Sequence, residues 1–325
     1  MRWPAEWETH ECTWMMWPAR LEIWSDFQEA CHVYACVANS IGEHEKVRMI
    51  VSKQHVSLVQ KLLSSDIEIV ISEIDDSWAR DVLPIFLEEN NKIRASCWDF
   101  NAWGNKFSPY DLDREIGLNI ANQFKLNPLE IDVVLEGGSV HSNGNNILLT
   151  TEECLLNKNR NPQLNKSQLE DTLKTQLALN TIIWLPYGIE GDNDTDGHVD
   201  NVACFLDENT ICIQASYDNN DANSLRHKEN IKYLKQFHFD IVEIPQPSLR
   251  YSATSERLPL SYLNFYFCNE AIVMPTFEQK KADERALSIL KEYFPRKNIH
   301  QIPSIPLVHG GGGIHCITKQ QPLIQ

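Results

Sequence analysis

Short apolar runs of strand type alternate with longer stretches of helical period along the whole chain, and this alternation limits the possible folds more than any other feature. The runs at 47–51 (VRMIV), 67–71 (IEIVI), 147–150 (ILLT), 182–185 (IIWL), 211–215 (ICIQA) and 271–274 (AIVM) read as buried strands. Their apolar residues follow one another with little polar interruption, as in strands covered on both faces. Helices are predicted over 24–40, 56–63, 111–124, 166–179, 226–237 and 278–292, where apolar residues recur near a period of 3.6. The fold class is α/β. No Gly/Ser linker, charge block or low-complexity stretch divides the chain, so a single domain over residues 1–325 is expected. The longest polar segment, 218–227, reads as a loop running into a helix. No self-similarity at a fixed period is visible, which leaves internal symmetry open.

Apolar residues make up 42% and charged residues 23% of the chain, a balance that supports a packed core and excludes a disordered protein. The net charge is −16, from 29 basic and 45 acidic residues spread along the sequence. Such a field disfavours nucleic acid and suits a cationic small molecule, although solubility alone also explains it. Nine cysteines without CxxC spacing, and an N-terminus without a basic and apolar leader, point to a reducing cytoplasm. No apolar run approaches membrane-spanning length.

Four segments combine residue types that packing alone does not require. The first, His309 to Thr318 (HGGGGIHCIT), has four consecutive glycines, unfavourable inside a helix or strand, and delivers Cys316 from a loop. Most cysteines are small buried hydrophobes, and Cys316 gains interest through its setting and its partners. The second, 192–201 (DNDTDGHVDN), places His198 and Asp200 two residues apart, on one side of an extended chain. A solvated acidic turn or a divalent-cation loop are the other readings, and the spacing fails the calcium-loop pattern. The third, 74–81 (IDDSWARD), follows a strand and offers Asp75, Asp81 and the flat wall of Trp78 to a planar cation. The fourth, 135–139 (LEGGS), presses Glu136 against two glycines and could equally be a hairpin. Together they suit one chemistry: carboxylates grip a guanidinium, a thiolate attacks its carbon, and a histidine moves protons. A free cysteine has a pKa near ~8.5, so a nearby cation or imidazolium must favour the thiolate.

The blocks WPAEWE and TWMMWP near the N-terminus, DDSWARD (75–81), WDFNAWG (98–104), EGG (136–138), LLTTEECLLN (148–157), TDGHVD (195–200) and GGIHCITKQQP (312–322) resemble the agmatine deiminase family, in that family's order. The resemblance implies the pentein fold, a five-bladed pseudo-symmetric α/β propeller of ββαβ units. It implies hydrolysis of agmatine to N-carbamoylputrescine and ammonia, a step towards putrescine, with no metal and no organic cofactor.

By motif position, Cys316 is similar to the nucleophile of a covalent amidino-thioether intermediate and His198 to the general acid and base. Asp81 and Asp200 resemble the carboxylates that bind guanidinium, and Glu136 the acid that orients His198. Trp78 resembles a pocket wall, and Asp194 is the candidate for the distal amine of the substrate. Gly313, Lys319 and Leu83 depart from the common pattern, which has Asn, Gln and Gly there. The rival readings are a deiminase of free or peptidyl arginine, for which Arg80, Arg94 and Arg114 are available, and a non-catalytic pentein binder. No nucleic-acid or membrane partner is expected. A homo-oligomer is compatible with the sequence, which leaves that state open.

Overall fold

The computed structural model describes residues 1–324 and contains five small sheets. The first holds β1 (His10–Met16), β2 (Val47–Val51) and β3 (Glu68–Ile71). The second is β4 (Ile85–Glu89), β5 (Lys92–Asp99) and β6 (Pro128–Val134), and the third is β7 (Val140–Ser142), β8 (Ile147–Thr151) and β9 (Thr181–Leu185). The fourth is β10 (Ala203–Asp207), β11 (Thr210–Ala215) and β12 (Asp240–Pro245), and the fifth is β13 (Tyr266–Cys268), β14 (Ala271–Thr276) and β15 (Asn298–Pro303). In each of the last four, the first two strands are antiparallel, and a helical crossover returns the third parallel to the second. The first sheet reaches the same ββαβ order only through β16 (Thr318–Pro322), which pairs antiparallel with β1. The two ends of the chain therefore complete one unit.

Apolar clusters at the seams hold the units in a ring. Trp14, Met49 and Val51 of the first unit share one cluster with Phe86 and Ala95 of the second and Val273 of the fifth. Leu87 packs with Leu135 and Leu148 between units two and three, and Leu149 and Ile183 pack with Phe205 and Ile213 between three and four. Cys212 and Ile244 meet Phe267 and Met274 between four and five. Each buried aliphatic side chain contributes about 1.5–3 kcal/mol, so these seams carry much of the stability of the ring.

All six predicted strands are present, as β2, β3, β8, β9, β11 and β14. Several of the others are half-exposed outer strands such as β12 and β15. The strand β16 (TKQQP) is polar yet wholly buried. Its side chains find polar partners: Trp14 Nε1 donates to Gln321 Oε1 at 2.9 Å, and Arg80 Nη1 to Gln320 Oε1 at 2.8 Å.

The predicted helices are observed at Phe27–Gly42, Val56–Leu62, Asp111–Gln123, Lys166–Leu177, Ala222–Leu234 and Lys280–Tyr293. The first starts where the Asp26 side chain accepts from the amides of Gln28 and Glu29, and it buries Ala30, Tyr34, Val37, Ala38 and Ile41 along one face. The fifth begins four residues earlier than its periodicity suggests, because Asp221 caps it by accepting from the Asn223 amide, so the polar 218–227 segment is partly helix. All nine cysteines are free. No helix among the described residues is long and apolar enough to cross a membrane.

Candidate active site

The pseudo-symmetry of the fold decides where the chemistry gathers. The segment entering the first strand of each unit carries one polar group within four residues of that strand: Asp81 before β4, Glu136 before β7, Asp200 before β10, Asn264 before β13 and Cys316 before β16. Five loops from different parts of the sequence thus supply one central site. All five side chains are buried.

Cys316 Sγ lies 3.3 Å from Asn264 Nδ2 and 3.5 Å from Asp200 Oδ2. The glycine run gives it this position. A side chain at Gly312 would collide with the Trp78 ring, and one at Gly313 with the Asn264 amide. The amide that faces the Cys316 thiol therefore comes from Asn264, and the departure at Gly313 leaves room for it. Arg80 N donates to Cys316 O at 3.0 Å, locking the loop to the short helix Ala79–Val82 that carries Asp81.

Gly138 is the hub of the acidic groups. Its amide donates to Asp81 Oδ1 at 2.8 Å, while Trp103 Nε1 donates to Asp81 Oδ2 at 2.9 Å. His198 Nδ1 stands 3.9 Å from Asp81 Oδ1, and His198 Nε2 stands 3.9 Å from Glu136 Oε2. The other Glu136 oxygen accepts from Arg160 Nε at 2.5 Å, and Arg160 also binds Asp196 and the Thr195 carbonyl. Glu136 Oε2, His198 Nε2 and Asp200 Oδ1 are buried and have no hydrogen-bond partner within the protein. Unpaired buried polar atoms are costly, and they concentrate where a ligand or a moving proton completes them.

Behind Asp200 runs a chain of charge-assisted hydrogen bonds. Asp200 Oδ2 is 3.0 Å from His315 Nδ1, and His315 Nε2 is 3.0 Å from both Glu6 oxygens. Arg80 Nη1 donates to Glu6 Oε1 at 2.9 Å. Burial opposes ionisation of Asp200, but the bond and charge of His315 together with the charges of His198 and Arg80 outweigh it and hold the carboxyl below its usual range. Burial likewise opposes protonation of His198, and Asp81, Cys154 and Glu136 together reverse this, so the imidazolium persists well above its usual range. Burial, together with the charges of Asp200 and Asp81, pushes the Cys316 thiol well above its usual range. The free site holds an un-ionised thiol among carboxylates, and a bound cation would reverse that balance.

The cleft above Cys316 measures about 360 Å³ including its open mouth and is bordered by Asp76, Asp81, Trp78, Trp103, Phe107, Asp194 and Thr195, among others. Trp78 is a wall, as expected, stacked at a tilt on Trp24 with 5.8 Å between ring centroids. Asp194 is at the rim. Asp75 is not in the cleft: its carboxylate accepts from the Leu112 amide, and its own amide donates to Asp113. The neighbouring Asp76 faces the cleft instead, paired with Arg20 Nε at 2.9 Å. Glu136, His198 and Asp200 do not border the cleft: Asp200 contacts Cys316, and His198 stands between Asp81 and Glu136.

Within the Asp-rich loop the oxygens of Asp192 and Asp196 are already engaged. Asp192 accepts from the Thr195 and His198 amides, and Asp196 from Asn159 and Arg160. Glu136, Cys154 and His198 bring one ligand atom each within 4.8 Å of one another, but Arg160 holds the carboxylate and burial keeps the Cys154 thiol protonated. That trio suits proton handling better than metal.

Sequence reasoning gave no role to Asn264, Arg160, Glu6, His315 or Trp103. Arg160 lies in the polar NKNRNP segment and the last three lie within the blocks that carry the family resemblance, but nothing local marks their partners. Asn264 has a signal only once the ring is known, because it holds the fifth unit's equivalent of the Asp81 position.

Comparisons with known proteins agree with this fold. Residues 2–322 match the model of the Porphyromonas-type peptidyl-arginine deiminase family. An agmatine deiminase of Medicago truncatula is 35% identical over 361 residues, covering 99% of this chain and 96% of the relative. One from Pseudomonas aeruginosa is 36% identical over 352 residues, covering 99% and 95%. The solved agmatine deiminase of Enterococcus faecalis superposes with a TM-score of 0.94 at 29% identity, covering 99% of this chain and 95% of that one. The fold is the pentein α/β fold, and the chain belongs to the Porphyromonas-type peptidyl-arginine deiminase family.

Proposed function

We propose that this chain is an agmatine deiminase, a hydrolase that converts agmatine and water to N-carbamoylputrescine and ammonia within one catalytic domain. The observation that carries this reading is the lining of the cleft: the carboxylates of Asp81 and Asp194 stand among aromatic walls, with Asp76 beside them already paired with Arg20, and no cationic side chain among the described residues borders it. Agmatine has a guanidinium at one end, an ammonium at the other and an apolar tether between, which this lining complements. Arginine would bring a carboxylate with no partner. Arg80 is spent on Glu6 and Gln320, Arg94 on Glu89 and Arg114 on Asp99. The complete set of thiol, imidazole and acids favours an enzyme over a binder on the same fold.

Asp81 and Asp200 pair with the guanidinium nitrogens and place its carbon over Cys316. The cation offsets the carboxylate charges that hold the thiol protonated, so the thiolate forms as substrate binds. Attack forms the C–S bond, and His198 protonates the departing nitrogen as the C–N bond breaks and ammonia leaves. The amidino-thioether remains. His198, now neutral, takes a proton from water as the water oxygen adds to the same carbon. Collapse breaks the C–S bond and releases the ureide product and the thiolate. Glu136, fixed by Arg160, faces the imidazole throughout and favours its protonated form. A cytoplasmic setting, with all cysteines reduced, completes the reading.

Steady-state turnover with agmatine, free arginine and an arginyl peptide tests it. Agmatine is expected to be preferred by at least a factor of about 100, equivalent to about 2.7 kcal/mol of transition-state discrimination. Equal or greater kcat/KM for arginine or the peptide would refute it.

A further inference from the structure

A second set of metal-ligating atoms meets at the seam between the fifth and first units. His44 follows the helix Phe27–Gly42, which packs against β14 and β15, and His300 lies on β15. The Nε2 atoms of the two imidazoles face each other at 2.8 Å, with the rings inclined at 62°. Glu43 brings a carboxylate oxygen within 4.8 Å of both nitrogens. The histidines are half-buried and Glu43 is exposed, so solvent reaches one side of the group. None of the three borders the catalytic cleft.

Two neutral imidazoles can share only one hydrogen across such a contact, and two imidazolium ions would repel. A divalent ion uses both lone pairs at once. At bonds of ~2.0–2.1 Å, two nitrogens in adjacent positions lie about 2.9 Å apart for a right-angled geometry and about 3.3 Å for a tetrahedral one. The observed separation needs only a small opening of the rings. Two nitrogens and one oxygen disfavour Mg²⁺ and Ca²⁺, which take oxygen ligands. We propose that Glu43, His44 and His300 bind one borderline divalent ion of the Zn²⁺, Ni²⁺ and Cu²⁺ class, with water completing its shell. Such an ion ties the fifth unit to the first, where the ring closes on itself. An ion that binds only the folded chain raises the melting temperature by mass action.

The test is Zn²⁺ titration of chelator-stripped protein by calorimetry in thiol-free buffer, with thermal melts alongside. One ion per chain and a rise of several degrees in Tm are expected. His300→Ala and His44→Gln should each weaken binding at least tenfold and leave agmatine turnover unchanged, while Cys316→Ala should bind as the parent does. Glu43→Gln, at an exposed position, should weaken binding without risk to the fold. No saturable uptake would overturn the proposal. So would uptake that survives the histidine variants, or uptake lost in Cys316→Ala, which would put the ion in the cleft.

Discussion

Gly138→Ala isolates the claim that one backbone position organises three catalytic side chains. Gly138 is not among the residues of positive φ, so its backbone accepts alanine without conformational strain. The new Cβ, however, would lie 2.6 Å from His198 Nδ1, 2.9 Å from Asp81 Oδ1 and 3.0 Å from Asp200 Oδ2. Relief to an ordinary contact of 3.4 Å needs about 0.8 Å of movement at His198, 0.5 Å at Asp81 and 0.4 Å at Asp200. Overpacking of this kind costs about 1–3 kcal/mol of stability, which a protein of ordinary stability (about 5–15 kcal/mol) survives. Catalysis is more sensitive, since a misplacement of ~1 Å costs about 10²-fold. The expected result is a fall of about 100-fold in kcat/KM for ammonia release from agmatine, with a urea midpoint showing a mostly folded protein. Gly42→Ala is the control, because its Cβ would meet Ile67 at an ordinary 3.7 Å, and it should leave activity unchanged and the urea midpoint unchanged or raised by up to about 1 kcal/mol of helix preference. Activity of Gly138→Ala within threefold of the parent would refute the hub.

Three further perturbations address charge. Asp81→Asn replaces one acceptor by a donor facing either Trp103 Nε1 or the Gly138 amide and removes the charge opposite the guanidinium, so kcat/KM should fall roughly 10- to 100-fold, in line with about 1.5–3 kcal/mol for a charged hydrogen bond. His315→Asn removes the bond that depresses the Asp200 pKa, so the acid limb of the kcat/KM profile should move to higher pH. The stability that ionised Asp200 contributes, present above its unfolded pKa and lost as pH falls through the folded one, should shrink in the same variant when acid unfolding is followed. Lys319 is buried, and burial beside Arg80 brings its pKa down to about 7, so the unfolded chain binds more protons between about pH 7 and 10. The parent should therefore gain stability relative to Lys319→Gln as pH rises through that window, by up to about 1.4 kcal/mol per unit, in paired denaturant titrations. A constant difference across the window would contradict a neutral Lys319.

The parts of the molecule legible in the sequence are those where local chemistry and final environment agree. Runs such as TIIWL and TICIQA are apolar because they are covered on both faces, so they announce themselves. The strand β16 does not, because its Lys and Gln side chains are buried against Arg80 and Trp14, partners far away in sequence. The outer strands β12 and β15 carry exposed polar residues and lack the unbroken apolar run that marks the buried strands. Among the candidate residues, Cys316, His198, Asp200 and Glu136 are marked by nearby glycines, and Asp81 by the acids and Trp78 around it. The sequence does not tell which of the adjacent acids Asp75 and Asp76 turns inward. The choice depends on Arg20, distant in sequence, which anchors Asp76 at the cleft. Asn264 was missed for a similar reason: its neighbours are an ordinary apolar strand entry, and only the closed ring aims it at the thiol. The ring itself was hidden because insertions of unequal length between units erase any fixed period.

Intact-protein mass spectrometry of the acid-quenched reaction of His198→Ala with agmatine tests the central claim, that Cys316 attacks the guanidinium carbon. If His198 is needed mainly to activate water, a covalent species heavier by agmatine less ammonia should accumulate, and peptide mapping should place it on Cys316. The same species should be absent from the Cys316→Ala protein. Product release by Cys316→Ala, or an adduct on any other cysteine, would contradict the account.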